Sequence, residues 1–271
     1  MLRIYFLQQW YALADEALED AIYDSQAMRD FVGIDLAIES VPDATTLLRF
    51  RHLLEKHALT QRIFQEINAH LAEKGLFMRE GTIVDATIVS AAPSTKNKAK
   101  QRDPEMKQTR KGNQWYFGMK AHIGVDAVTG LTHTVVATSA NVADVTMVEH
   151  LVRDDDNRVH ADAGYIGMGK RLDEEKDARN SRCCIAAKRG GIKKMEESPM
   201  KELLLKIERT KASIRAKVEH PFHVIKNLFG YRKVRYKGLA KNQAQLFSLF
   251  GLANLVLATR CEGRIDGVSA S

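Results

Sequence analysis

At 271 residues, 45% of them hydrophobic, the chain can bury a sizeable core, either as one large domain or as a main domain with a smaller appendage. No run approaches the roughly 18 consecutive apolar residues of a membrane helix, and the opening MLRIYFLQQWYALADEALED turns acidic too soon for a secretory signal, so a cytoplasmic location is expected and no membrane partner. The net charge of +7 is unevenly spread: −6 over residues 1–85, +5 over 95–111, −3 over 112–187 and +11 over 188–241. Two basic blocks on an otherwise acidic chain point to a polyanion such as nucleic acid, through counterion release.

In chain order, residues up to about 80 read as a small all-α unit. LLRFRHLLEKHALTQRIFQEINAHLAEKGL sets Leu47, Phe50, Leu53, Leu54, Ile63, Phe64, Ile67 and Leu71 at three- and four-residue steps, with Pro42 and Asp43 as a start and Gly75 as a stop. Its helix-turn-helix look favours a structural role over DNA binding, since most helical hairpins are structural. At Gly81 the texture changes to a β-branched strand, GTIVDATIVSA, and then to PSTKNKAKQRDPEMKQTRKGNQ, a polar and basic stretch expected as one long exposed loop. WYFGMKAHIGVDA and LTHTVVATSAN follow as a hairpin joined by DAVTG, with Asp126 a turn residue. DVTMVEHLV reads as a helix capped by Asn141 or Asp144, Asp154, Asp155 and Asp156 as a solvated loop, and RVHADAGY and CCIAAK as strands separated by an amphipathic stretch. Strands followed by alternating helices and strands give an α/β class, a mixed sheet with helices against its faces. Cys183, Cys184 and Cys261 lack metal-type spacing and are expected as free, buried thiols. KELLLKIERTKASIRAKVEHPFHVIKNLFGYRKVRYKGL is a long basic helical region, NQAQLFSLFGLANLVLATR an apolar helix returning to the core, and CEGRIDGVSAS a frayed tail.

The carboxylates carry the chemistry. Asp85 and Asp162 each sit in a strand-like run, where a charge is costly unless compensated. Taken alone, Asp162 with Gly164 is an ordinary turn pair. Together with Glu219 from the basic helical region, the two aspartates could hold Mg²⁺ or Mn²⁺. Two such ions suit phosphodiester chemistry by activating the attacking oxygen and stabilising the leaving one. Arg215, Glu219 and Lys226 fall at steps of 4 and 7 and share a helical face, although Pro221 is expected to kink or restart the helix. An Arg–Glu pair on a solvated helix would look the same locally.

GTIVDATIV, KGNQWYFGMKAHIGVD, HADAGY and RAKVEHPFHVIKNLFGYRKVRYKGL, in this order, resemble bacterial insertion-sequence transposases with a DDE triad, closest to the insertion-sequence-five family. The resemblance implies a ribonuclease H-like catalytic fold over 81–260, after a helical unit at 1–80 suited to DNA ends and before a flexible tail at 261–271. It implies Asp85, Asp162 and Glu219 as catalytic metal ligands for two Mg²⁺ or Mn²⁺ ions. It also implies contacts to DNA from Lys96, Lys98, Lys100, Arg110, Lys111, Arg215 and Lys226, and a homodimer acting on terminal repeats and target DNA at the nucleoid. The triad separations are 162 − 85 = 77 and 219 − 162 = 57. Ala212 stands where the family pattern has tyrosine. His220 and His223, beside Glu219, are expected to pack behind it rather than touch DNA. Members of this group usually carry helical sequence before the equivalent of MLRIYFLQQWY, so Met1 reads as an internal methionine and end-specific transposition by the chain as it stands is expected to be impaired. The expected activity is metal-dependent cleavage at transposon ends and strand transfer. The alternatives are a nuclease that only cuts and a truncated DNA-binding remnant.

Overall fold

The computed structural model describes residues 1–96, 98, 100–175, 182–187, 192 and 195–268, with only the backbone described for 173–175, 182 and 261–268. Five helices come first: α1 (Leu2–Tyr11), α2 (Asp15–Asp24), α3 (Gln26–Val32), α4 (Ala44–Lys56) and α5 (Leu59–Glu73). Asp43 caps α4 by accepting the Thr46 amide at 2.7 Å, as the Pro42–Asp43 signal suggests. The periodic run from Leu47 to Leu71 is broken at Ala58, whose left-handed backbone (φ 49°) separates α4 from α5. Arg51 of α4 forks onto both oxygens of Asp15 in α2 and reaches Gln8 of α1, tying three helices together.

The sheet follows as β1 (Thr82–Ser90), β2 (Lys107–Lys111), β3 (Gln114–Asp126), β4 (Thr132–Ser139), β5 (Arg158–Ala161) and β6 (Arg182–Ile185). β3 runs antiparallel to β1, β2 and β4, while β1, β5 and β6 are mutually parallel along their shared edges. β2 lies within the stretch expected as loop. Its residues KQTRK alternate no apolar side chains, because both faces of this strand are exposed or half-buried; the signal missed was the two-residue Gly112-Asn113 turn, with Gly112 at φ 62°. One face of the sheet, bearing Ile83, Val89, Met119, Ala121 and Ile123, packs against Phe64 and Leu71 of α5, and against Val218, Phe222, Ile225, Leu246, Phe250 and Ala253. The other, bearing Val84, Val159 and Ala161, is covered by Val148, Leu151, Tyr165, Met168 and Leu172 from α6 (Val148–Leu151), α7 (Met168–Glu175) and the turn between β5 and α7.

The long basic region is less regular than its composition suggests. α8 (Pro199–Arg215) gives way to a 3-10 turn (Ala216–Val218), the short α9 (Glu219–His223) and a π turn (Val224–Leu228), so Pro221 sits in the first turn of a restarted helix, where its missing amide costs nothing. Residues 230–238 are not helical; Lys233 bridges to Ser90 instead. α10 (Leu239–Val268) returns along the core beside α5, with Phe247 and Phe64 rings 5.8 Å apart. Its backbone continues through most of the segment expected to fray. Cys183 and Cys184 are half-buried on β6 rather than fully buried, and the Cys261 side chain and Lys188 lie outside the described residues. No described helix is long and apolar enough to cross a membrane.

The aspartate run at 154–156 is not simply solvated. Asp156 is buried, accepts the Arg153 amide at 2.8 Å and its guanidinium at 2.9 Å, and bonds Thr82 Oγ1, while Arg153 also reaches buried Asp126 and the Gly81 carbonyl. Asp126 is the turn residue expected, accepting the Val128 and Thr129 amides at 3.0 and 3.1 Å. Removing Arg153 would leave two buried carboxylates short of their cation. Arg153→Ala is therefore expected to lower stability by about 3 kcal/mol or more in urea unfolding, and a change below about 1 kcal/mol would show the network to be incidental.

Candidate active site

Asp85 lies mid-strand in β1, opposite Ile123 of β3. On its other side β1 pairs with β5 in parallel, Thr82 level with Val159 and Ile83 with His160. This register offset is 77, and 162 − 85 is also 77, so continuing the pairing sets Asp162 level with Asp85 just past the end of β5. Equivalent residues on neighbouring strands project to the same face about 5 Å apart. Asp162 also caps a 3-10 turn (Ala163–Tyr165): its Oδ1 accepts the Gly164 amide at 2.7 Å. The turn reading and the ligand reading of Asp162 are thus compatible, since the cap fixes one oxygen and aims the carboxylate. A Cβ at Gly164 would stand 2.9 Å from that oxygen, so only glycine leaves the aspartate in place.

Glu219 arrives from the opposite layer. Val218, Phe222 and Ile225 bury themselves on the sheet face that carries Asp85, and this leaves Glu219 exposed beside it. Burial, then the negative charges of Asp162 and Glu219, push Asp85 up to about 6, with Arg215 and the Ala86 amide acting against the shift. The three carboxylates and Arg215 therefore share one electrostatic neighbourhood. Among the described residues, no group of three His, Cys, Asp or Glu side chains stands close enough to enclose an ion. The donor set still suits a hard cation: Mg²⁺ commonly takes only one or two protein carboxylates and completes its shell with water and substrate phosphate.

Lys226 is half-buried and donates to Thr87 Oγ1 at 2.6 Å and to the Ile88 carbonyl at 2.9 Å, so two of its three donors are spent on β1. Its burial and the nearby Lys111 and Arg232 lower its pKa. Lys96, Lys98, Lys100, Arg110 and Lys111 are exposed, with Arg110 bracing its own hairpin through the Gly112 carbonyl at 3.0 Å. His220 and His223 are exposed rather than packed behind Glu219, because Pro221 and Phe222 take the buried side of α9; His223 instead pairs with Asn227.

On the reverse face sits a cluster that periodicity did not reveal. Neither proposed cap serves the helix at 144–151: Ala143 is the N-cap, and Asp144 instead pairs with Lys120 at 2.9 Å and faces buried His122 at 3.7 Å. Burial, against the pull of Asp144, drops His122 to about 4. Tyr165 is buried beside them, its pKa raised by burial and by the charges of Asp144, Asp85 and Asp162. A clue was present in the alternation of polar Lys120 and His122 with apolar Met119, Ala121 and Ile123 along β3.

Because Asp85 titrates higher in the fold than in the unfolded chain, its contribution to stability is fully present below about pH 4 and is lost as pH rises through about 6. Asp85→Asn should accordingly stabilise the metal-free protein at pH 8, by about 1–3 kcal/mol, and give no such gain at pH 4. Equal effects at both pH values in thermal or urea unfolding would contradict the crowding of charge at this site.

A family model described as Transposase DDE domain matches residues 76–255, from just before β1 into α10, and one described as Transposase domain matches residues 1–53. No solved structure matches the chain. The first match spans the whole mixed sheet, and the fold is ribonuclease H-like, with antiparallel β1, β3 and β4 followed by parallel β5 and β6. Spanning about two thirds of the sequence, it shows that the chain belongs to the family of transposases with a DDE domain.

Proposed function

We propose that this transposase cuts a phosphodiester at the ends of its element and joins the freed 3′-hydroxyl to target DNA, with Asp85, Asp162 and Glu219 as its catalytic carboxylates. The observation that carries the reading is the strand register that sets Asp85 and Asp162 level on one face, with Glu219 in electrostatic reach. Two Mg²⁺ or Mn²⁺ ions, when bound, would supply Lewis-acid activation of the attacking oxygen and charge stabilisation of the leaving one. Asp85 and Asp162 would hold an ion between the strands, and Glu219 would approach from the restarted helix.

The chain's remaining roles follow from position. Arg215 is half-buried, one turn before Glu219, and offsets charge beside Asp85 where a phosphate would enter. Lys226 acts chiefly by fixing the π turn to β1 next to Asp85, with one donor left for DNA. Lys96, Lys98, Lys100, Arg110 and Lys111 would hold DNA phosphates from the exposed basic segment. Ala212 is exposed on α8 and cannot supply the tyrosine hydroxyl of the general pattern. The four sequence motifs support placement near the insertion-sequence-five group, and one protomer at each element end is the assembly this chemistry calls for.

Glu219→Gln should reduce Mn²⁺-dependent nicking of element-end DNA by at least about 10³-fold and leave DNA affinity within about threefold, since one carboxylate is lost and the basic blocks remain. Nicking at a near wild-type rate would remove Glu219 from the triad, and nicking without any strand joining would favour a nuclease. Neutralising Lys96, Lys98, Lys100, Arg110 and Lys111 together should flatten the salt dependence of duplex binding, each lost phosphate contact lowering the log–log slope by about 0.9. An unchanged slope would return this segment to a solvated surface.

A further inference from the structure

β2 and β3 form a hairpin whose tip is Gly112-Asn113, with Lys111 paired to Gln114 and Arg110 to Trp115. Lys107, Arg110 and Lys111 are exposed, and the sequence holds no carboxylate between Glu105 and Asp126. Into this cationic ribbon the chain places Trp115, 64% exposed, the most exposed large aromatic among the described residues. A scattered surface aliphatic needs no explanation, but an indole paired with Arg110 on a basic hairpin presents a flat apolar face beside groups that favour phosphate.

Its direction is set by alternation. Trp115, Phe117, Met119, Ala121 and Ile123 share one face of β3; Ala121 is level with Thr87, and Ile123 with Asp85. Phe117 is half-buried against the core, with the Arg102 guanidinium 5.4 Å from its ring, and the apolar packing ends there. Trp115 continues the row beyond the core, on the carboxylate side. At the tip, Lys111 acts electrostatically on Lys226, whose ammonium is bonded to β1 at Thr87 and Ile88.

Cations on this hairpin can hold the backbone of any duplex, but an indole gains little from phosphates. Inside a duplex the base faces are already stacked on one another, so an aromatic side chain can cover one only where a base has left the stack or ends the helix. We propose that Trp115 stacks on an unpaired nucleobase of the DNA end being processed, with Arg110 and Lys111 on the flanking phosphates. This rests on the reading of Asp85, Asp162 and Glu219 as a DNA-cleaving site and adds a base-contacting platform farther along the same sheet face, at the hairpin end of β3.

The chain has two tryptophans, and Trp10 is half-buried between Phe6 and Phe31, at 6.1 and 5.6 Å. In the full chain carrying Trp10→Phe, emission therefore reports on Trp115 alone. Without divalent metal, this protein would be titrated with a single-stranded oligonucleotide, a fully paired duplex of the same sequence closed at its ends by non-nucleotide linkers, and that duplex with one unpaired base near its end. Labelled-DNA anisotropy would record binding in parallel. The expected result is quenching by the single strand and by the duplex with the unpaired base, and little by the closed duplex. Trp115→Ala should weaken binding of the first two about tenfold, leave the closed duplex within about twofold, and be largely rescued by Trp115→Phe. Binding of all three DNAs without quenching, or equal weakening of all three by Trp115→Ala, would overturn the stacking assignment and leave the cleavage reading intact. Emission that changes with protein concentration alone, and not with DNA, would mark a contact between copies instead. No binding of any of the three DNAs would contradict the cleavage reading itself, and this inference with it.

Discussion

The parallel pairing of β1 with β5 is the constraint on which the rest depends. A slip of one residue would send Asp85 and Asp162 to opposite faces, since side chains alternate along a strand. The far end of the same strands fixes the register. Thr82 at the start of β1 bonds Asp156, two residues before β5 begins, and Arg153 links Asp156 to Asp126 at the end of β3. This buried network pins three strands at the ends opposite Asp162, and three residues further along β1 the two aspartates come level.

The other end of the sheet concentrates like charge. Asp85 is partly desolvated next to Asp162 and within reach of Glu219, and Arg215 offsets this only in part. Such an arrangement costs folding free energy above about pH 6 and is relieved by a divalent cation or by protonation. The irregular run from Arg215 to Leu228 serves the same end. Successive 3-10, α and π segments rotate Val218, Phe222 and Ile225 into the core, leave Glu219 at the surface, and let Lys226 clamp the run to Thr87 and Ile88.

Much of this was legible in the sequence. β-branched runs, the DAVTG turn and the apolar closing helix located β1, β3, β4 and α10, and the motif order named the fold class and singled out the three carboxylates proposed as catalytic. What escaped were features set by partners distant in the chain. β2 has no apolar alternation because it adds a polar ribbon beyond the core, and only Gly112-Asn113 signalled it. Asp156 looked like one of three solvated aspartates, and nothing local shows that Thr82, 74 residues earlier, bonds it in the interior. Asp144 looked like a cap until Lys120 and His122, on a neighbouring strand, claimed its carboxylate. The bonds of Lys226 to β1 depend on a π turn that no spacing rule anticipates.

The central claim is that strand register brings Asp85 and Asp162 together to hold a divalent ion, with Glu219 beside them. Iron-directed self-cleavage tests it most directly: Fe²⁺ bound in place of Mg²⁺, with ascorbate and peroxide, cuts the polypeptide backbone near the ion, and the fragments are mapped by mass spectrometry. Cuts clustered around residues 85, 162 and 219, all suppressed by excess Mg²⁺ and lost together in Asp162→Asn, are the expected result. Cuts centred elsewhere, such as at 154–156, or a pattern indifferent to Mg²⁺ and to Asp162→Asn, would contradict it.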